Sequence, residues 1–169
     1  MRYLLLLCCL LLSSCLSVPD GVVPIQNFEL NRYLGRWYEV ARLDHSFERG
    51  LEAVTAEYSL RSDGGIRVIN SGRDIETAEI QQAEGRAYFV EDSNIGHLKV
   101  SFFGPFYGSY VIFELDQKDY QYAFVAGNTT DYLWLLARTP QVSEDVLSRF
   151  KQRASSLGFD TSELIFLKH

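Results

Sequence analysis

Beyond residue 15 the 169-residue chain has no cysteine; its three are Cys8, Cys9 and Cys15. No disulfide can staple the bulk of the chain and no thiol is available there as a nucleophile, so stability has to come from a hydrophobic core. Histidine is equally scarce: His45, His97 and His169 are scattered, with no second ligand at metal spacing. No catalytic residue, cofactor or metal site can be named from them, and the expectation is a protein that is not an enzyme. Positive charge is short too, with 16 Lys and Arg against 22 Asp and Glu for a net charge of −6. That excludes the cationic stripe a nucleic-acid partner requires. Only four prolines are present, and no Gly/Ser/Pro-rich stretch divides the chain into domains. The apolar run over residues 4–12 is too short to span a bilayer.

What the chain has is aromatic and alternating. Ten Tyr, eleven Phe and two Trp accompany an apolar share of 47%, a composition suited to strands and to a ligand-lining surface. Runs with period-2 alternation fall at about 36–43, 54–60, 66–70, 80–90, 98–102, 110–115, 120–126 and 132–138, separated by turns such as Ser62-Asp63-Gly64-Gly65. Eight antiparallel strands joined by tight turns predict an all-β, up-and-down barrel, in which closure removes both sheet edges. A sandwich of two sheets would not account for the helix that follows. There Ser143 is a good N-cap, and Glu144 and Asp145 occupy the first turn. Val146, Leu147, Phe150, Ala154 and Leu157 form one apolar stripe, and Gly158 is the stop. The stripe predicts a C-terminal helix packed outside the barrel, against Leu133 and Leu135 of the last strand, leaving Trp134 and Leu136 to face inward.

The stretch that organises the chain is Gly35-Arg36-Trp37-Tyr38, answered by Leu136-Ala137-Arg138. A guanidinium from the last strand can stack on an indole from the first and close one end of a barrel. This pair resembles the first and last sequence signatures of the lipocalins. Asn27-Phe28, Phe102-Phe103-Gly104-Pro105-Phe106-Tyr107-Gly108 and Asp131-Tyr132-Leu133-Trp134 occur in lipocalin order and spacing and resemble the bacterial outer-membrane members of that family. The resemblance covers nearly all of residues 27–169, the expected barrel domain. It implies an eight-stranded barrel around a lipid cavity, a polar loop at about 44–52 beside the open mouth, and a helical turn within 27–34 that plugs the closed end.

The N-terminus reads as an export signal. One positive charge at Arg2 and the apolar residues 4–12 precede Leu12-Ser13-Ser14-Cys15, which resembles a bacterial lipobox. Small residues before Cys15 let a signal peptidase approach, so residues 1–14 are expected to be a lipoprotein leader. Cys15 is the expected lipidation site, and 15–26 a tether. Several acyl chains on one cysteine hold a protein stably where a single chain does not. Leu16, in place of an aspartate that would resemble an inner-membrane retention signal, directs the expectation to lipid anchoring in the outer membrane.

Phase carried from Trp37 and Arg138 by alternation and by the family resemblance places Ala41, Ala56, Tyr58, Val68, Asn70, Val100, Phe102, Tyr110, Trp134 and Leu136 toward the interior. They are the expected cavity wall, with Trp37 and Arg138 a structural closing pair. Tyr58 and Phe102 are equally readable as barrel-floor core. Apolar walls with a few hydroxyls suit an elongated amphiphile such as a lysophospholipid or a fatty acid. The expected function is lipid binding, storage or transport for envelope maintenance or stress. The alternatives are an envelope structural protein whose barrel is filled, a homodimer that completes the lipid site between subunits, and, last, an enzyme using an inward Glu39 or Glu114.

Overall fold

The computed structural model describes residues 16–169; the expected leader and Cys15 lie outside the described residues. Eight strands make the barrel: β1 (Gly35–Arg42), β2 (Leu51–Leu60), β3 (Ile66–Asp74), β4 (Ile80–Phe89), β5 (His97–Ser101), β6 (Gly108–Leu115), β7 (Tyr122–Ala126) and β8 (Leu133–Ala137). Each pairs antiparallel with the next, and β8 returns to β1. The β2–β3 hairpin is taller than its alternation predicts. Its pairing runs from Leu60↔Ile66 at one end of the barrel to Leu51↔Asp74 at the other.

The seam between β1 and β2 is only half direct. Gly35 to Tyr38 pair with β2, after which the strands part. The chain's last strand, β9 (Ile165–Phe166), takes the vacated edge of β1 through Ala41↔Phe166 and Arg42↔Ile165. Leu167 N–H donates to the Val40 carbonyl, and Ala53 N–H of β2 donates to the Lys168 carbonyl. The C-terminal segment thus fills the gap from both sides.

One end of the barrel is plugged. The single-turn helix α1 (Leu30–Tyr33) lies across it, and Trp37 Nε1 donates to the Tyr33 carbonyl at 2.7 Å. The Arg138 guanidinium carbon sits 4.0 Å from the centre of the Trp37 ring. Its nitrogens donate to the Arg36 carbonyl at 2.8 Å and the Arg32 carbonyl at 2.7 Å. Gly35 turns into β1 at φ 91°, a backbone region where other residues are strained. Arg138 therefore ties α1, β1 and β8 together while covering an indole face.

Outside the barrel lies helix α2 (Glu144–Ser156), capped by Ser143, whose side chain accepts from Val146 N–H. Phe150 and Ala154 are fully buried against Leu133, Leu135 and Phe124, and Val146, Leu147 and Leu157 pack around them. The stripe and its target are as the sequence predicts. Two cores result. An inner one is built on Trp37, Tyr33, Ile66, Leu98, Ile112 and Leu136, and an outer one lies under α2.

Ala41 belongs to the outer core, which corrects its placement on the cavity wall. The pairing of β1 with β8 slips between Glu39 and Ala41, leaving Val40 as an extra residue. Such a bulge reverses the alternation beyond it. Trp37 and Glu39 therefore face in, Ala41 and Leu43 face out against α2, and Arg42 turns inward instead.

Candidate ligand-binding cavity

The end opposite Arg138 is open. A cavity of about 470 Å³ runs down from it, lined by Ala56, Tyr58, Val68, Asn70, Val100, Phe102, Tyr110, Trp134 and Leu136 among others. Nine of the ten residues placed on the wall by alternation and the family resemblance thus contribute to it, and Ala41 does not. Strand pairing explains the room at mid-barrel: Trp37, Ala56, Asn70 and Ala83 follow one another across β1 to β4, so small side chains alternate with larger ones. The interior is not filled, and the alternative of a solid barrel is set aside.

The floor carries a hydroxyl cluster. Tyr110 shares hydrogen bonds with Tyr33 at 2.7 Å and Tyr58 at 2.8 Å. Burial pushes all three phenols above their ordinary value, so they remain neutral. Around them Phe28, Leu30, Ile66, Ala87 and Leu98 are apolar.

The upper wall on the β1–β8 side is polar and buried. Arg42, turned in by the bulge, donates to Glu39 Oε1 at 2.8 Å and to the Glu48 carbonyl at 2.8 Å. Trp134 Nε1 donates to Glu48 Oε2 at 3.2 Å, and His45 Nε2 lies 2.9 Å from that same oxygen, off the hydrogen-bonding direction. Glu39, Arg42, His45 and Glu48 are all nearly inaccessible to solvent. The two carboxyls separate in strength. Burial raises Glu39, Glu48 adds to that, and Arg42 only partly offsets it. Burial also opposes ionisation of Glu48, but His45, the Trp134 N–H and Arg42 outweigh it and hold that carboxyl below its ordinary value. Glu48 is the ionised member of the pair, and Glu39 the one that takes up a proton first.

Alternation finds Glu39 but has no means of finding Arg42, His45 or Glu48. The last two lie in the 43–50 loop, whose composition reads as solvated. Glu114, the other carboxylate considered for the interior, instead faces α2, 3.3 Å from Arg149 Nε. At the mouth itself His45 stacks on Phe47 with ring centres 3.9 Å apart, and Tyr132 stacks on Trp134 at 6.2 Å. Asn70 Oδ1 is buried and has no protein partner, so it is free to accept from a bound molecule.

Comparison with known proteins agrees with this geometry. The lipocalin-like domain family matches residues 28–169. The chain is 60% identical over 164 residues to "Outer membrane lipoprotein Blc" of Vibrio cholerae, covering 97% of this chain and 96% of that protein. The chain belongs to the lipocalin family. The protein of the same name from Escherichia coli K12 is 51% identical over 150 residues, covering 89% of this chain and 84% of its own. This lipocalin is, with them, a bacterial outer-membrane lipoprotein. In fold it is similar to insecticyanin from the tobacco hornworm Manduca sexta, at a TM-score of 0.72 and 20% identity, covering 90% of this chain and 87% of that one. Lobster apocrustacyanin A1 follows at a TM-score of 0.65 and 18% identity, covering 89% and 92%.

Proposed function

We propose that this lipocalin binds one lipid, a lysophospholipid or a fatty acid, and stores or carries it for envelope maintenance, anchored through acylated Cys15 after removal of residues 1–14. The observation that supports this is the 470 Å³ cavity with apolar lower walls and a polar upper edge, within the size range of small-molecule sites, roughly 300–1,000 Å³. An acyl chain laid into it gains about 0.8 kcal/mol for each CH₂ taken from water, less the entropy of ordering the tail. The role is binding and release, with no reaction.

The polar edge favours one head group over the other. Glu39 and Glu48 line the cavity and, among the described residues, no cationic side chain does, because Arg42 is bonded to Glu39 and to backbone carbonyls behind the wall. A free fatty-acid carboxylate meets no counter-charge there. The ammonium of a lysophospholipid meets Glu48 together with the rings of Phe47, Tyr132 and Trp134, a suitable setting for a cation. Titrating lysophosphatidylethanolamine and palmitate into the protein while following tryptophan fluorescence tests both points. One-site saturation is expected, tighter for the lysolipid, weakened at least tenfold by Trp134→Ala or by Ala56→Phe, which fills the cavity. Circular dichroism should be unchanged in both variants. No binding up to the aggregation limit of either lipid would sink the carrier reading.

A further inference from the structure

Two independent features meet at the open end of the barrel. The first is the path of the N-terminal segment. Ser17 Oγ donates to the Asn128 carbonyl at 3.0 Å, and Asn128 stands in the β7–β8 loop on the cavity mouth. From there the chain descends the outer wall. Val22 is buried in the outer core, Ile25 N–H donates to the Ile112 carbonyl, and Phe28 N–H donates to the Asn94 carbonyl at the closed end. Cys15 is two residues before Ser17, so its backbone is held within about 7 Å of the Ser17 backbone, at the edge of the mouth. The second is the distribution of exposed apolar side chains. Phe47, Ile75, Ile80, Phe103 and Phe106 are each more than half exposed, and all five sit on the three other loops, or at the strand end beside them, at the mouth. Among the described residues, the comparable side chains elsewhere are Leu60, the last residue of β2 at the closed end, and Val23 on the outer wall.

We propose that the open end of the barrel docks on the bilayer that holds the Cys15 anchor, with Phe103 and Phe106 inserted among the lipids, so that the cavity opens directly onto the leaflet it serves. The proposal rests on acylation at Cys15. An anchor at the rim of the mouth leaves no length of chain with which to turn the mouth away. The reverse orientation would require residues 17–28 to peel off the barrel wall and surrender the contacts just named. Charge does not drive the contact, since the protein carries a net charge of −6. The rim instead offers large, solvent-exposed apolar groups, Phe103 and Phe106 foremost, and a lipid surface is the one partner the anchor already holds in place.

The mature protein has no cysteine after Cys15, so single labels are straightforward. The full chain is expressed in a lipidating host, purified, and reconstituted in phosphatidylcholine vesicles containing a shallow spin-label quencher. A polarity-sensitive dye is placed at Thr77→Cys at the mouth or Ser62→Cys at the closed end. The mouth label is expected to shift to the blue and to be quenched at least threefold more than the closed-end label. Adding Phe103→Ser and Phe106→Ser should abolish that difference while the protein stays on the vesicles. Equal quenching at both sites, stronger quenching at residue 62, or no effect of the double substitution would overturn the proposal. So would a concentration-dependent dimer that hides the mouth label from lipid, which would assign the rim to a second copy. Intact mass reports acylation separately: an unmodified Cys15 defeats the anchoring premise, whereas an acylated protein with an unquenched mouth defeats the docking alone.

Discussion

Arg42→Met puts the buried polar wall to the test. Arg42 is 2% exposed, and its guanidinium is the positive charge that Glu39 touches, at 2.8 Å. Methionine keeps the aliphatic length and removes the charge. A buried ion pair broken from one side costs about 3–5 kcal/mol, because the remaining charge is left unsolvated. The Glu48 and Leu51 carbonyls lose their donor as well. For a domain of this size that loss corresponds to a fall in Tm of roughly 6–20 °C. The sign of the pH dependence follows from Glu39. Its pKa in the fold is already raised above the ordinary 4.5, and without Arg42 it rises further. The deficit against the parent protein is therefore absent where Glu39 is protonated in both folds, grows as pH rises past the parent's raised value, and is complete above the variant's still higher one. Glu48 works in the opposite sense, its stabilisation being lost as pH falls through its lowered value. His45 and Trp134 carry most of that, so it largely cancels between the two proteins. Urea unfolding followed by fluorescence should show a deficit that is small at about pH 5 and greater at about pH 8. Glu39→Gln added to Arg42→Met should recover more than half of it, since a neutral amide then stands where a bare carboxylate did. Equal deficits at both pH values, or a double variant no better than the single one, would refute the electrostatic account.

Arg138→Lys at the closed end loses the planar stack on Trp37 and the paired donation to the Arg32 and Arg36 carbonyls; a destabilisation of about 1–2 kcal/mol in urea unfolding is expected, with the lipid affinity of the refolded protein unchanged. Removing residues 165–169 empties the gap between β1 and β2. The Ala53 amide, which donates to the Lys168 carbonyl, should then exchange with solvent at least tenfold faster, while amides in the β6–β7 pair keep their protection.

The regularity of the barrel was legible in the sequence because closure imposes one rule on every strand. Where that rule held, from Ala56 through Tyr110 to Trp134, alternation together with the family resemblance reached the cavity-lining face at a distance of many residues. It failed between Glu39 and Ala41, where the failure bears on function, and again between Ile112 and Glu114, where a second slip turns Glu114 out toward α2. A bulge adds a single residue and leaves hydrophobicity untouched, since Val40 and Ala41 are as apolar as a regular strand would want. No period-2 count can register it. Its consequence was the larger unread feature: once Arg42 is turned inward, Glu39 and the Glu48 carbonyl acquire a buried partner, and the 43–50 loop folds over the mouth with His45 and Glu48 beneath it. Composition gave the opposite impression, because a stretch of Asp, His, Ser, Glu and Arg reads as solvated when nothing marks which charges are paired. The C-terminal strand is a milder case. The gap that Ile165 and Phe166 fill arises only where β1 and β2 part, above Tyr38, and nothing in the alternation of either strand marks that point. One inserted residue thus places the ionised Glu48 against the cavity, and any variant that restores regular pairing across Glu39 to Ala41 should lose the polar edge before it loses the barrel.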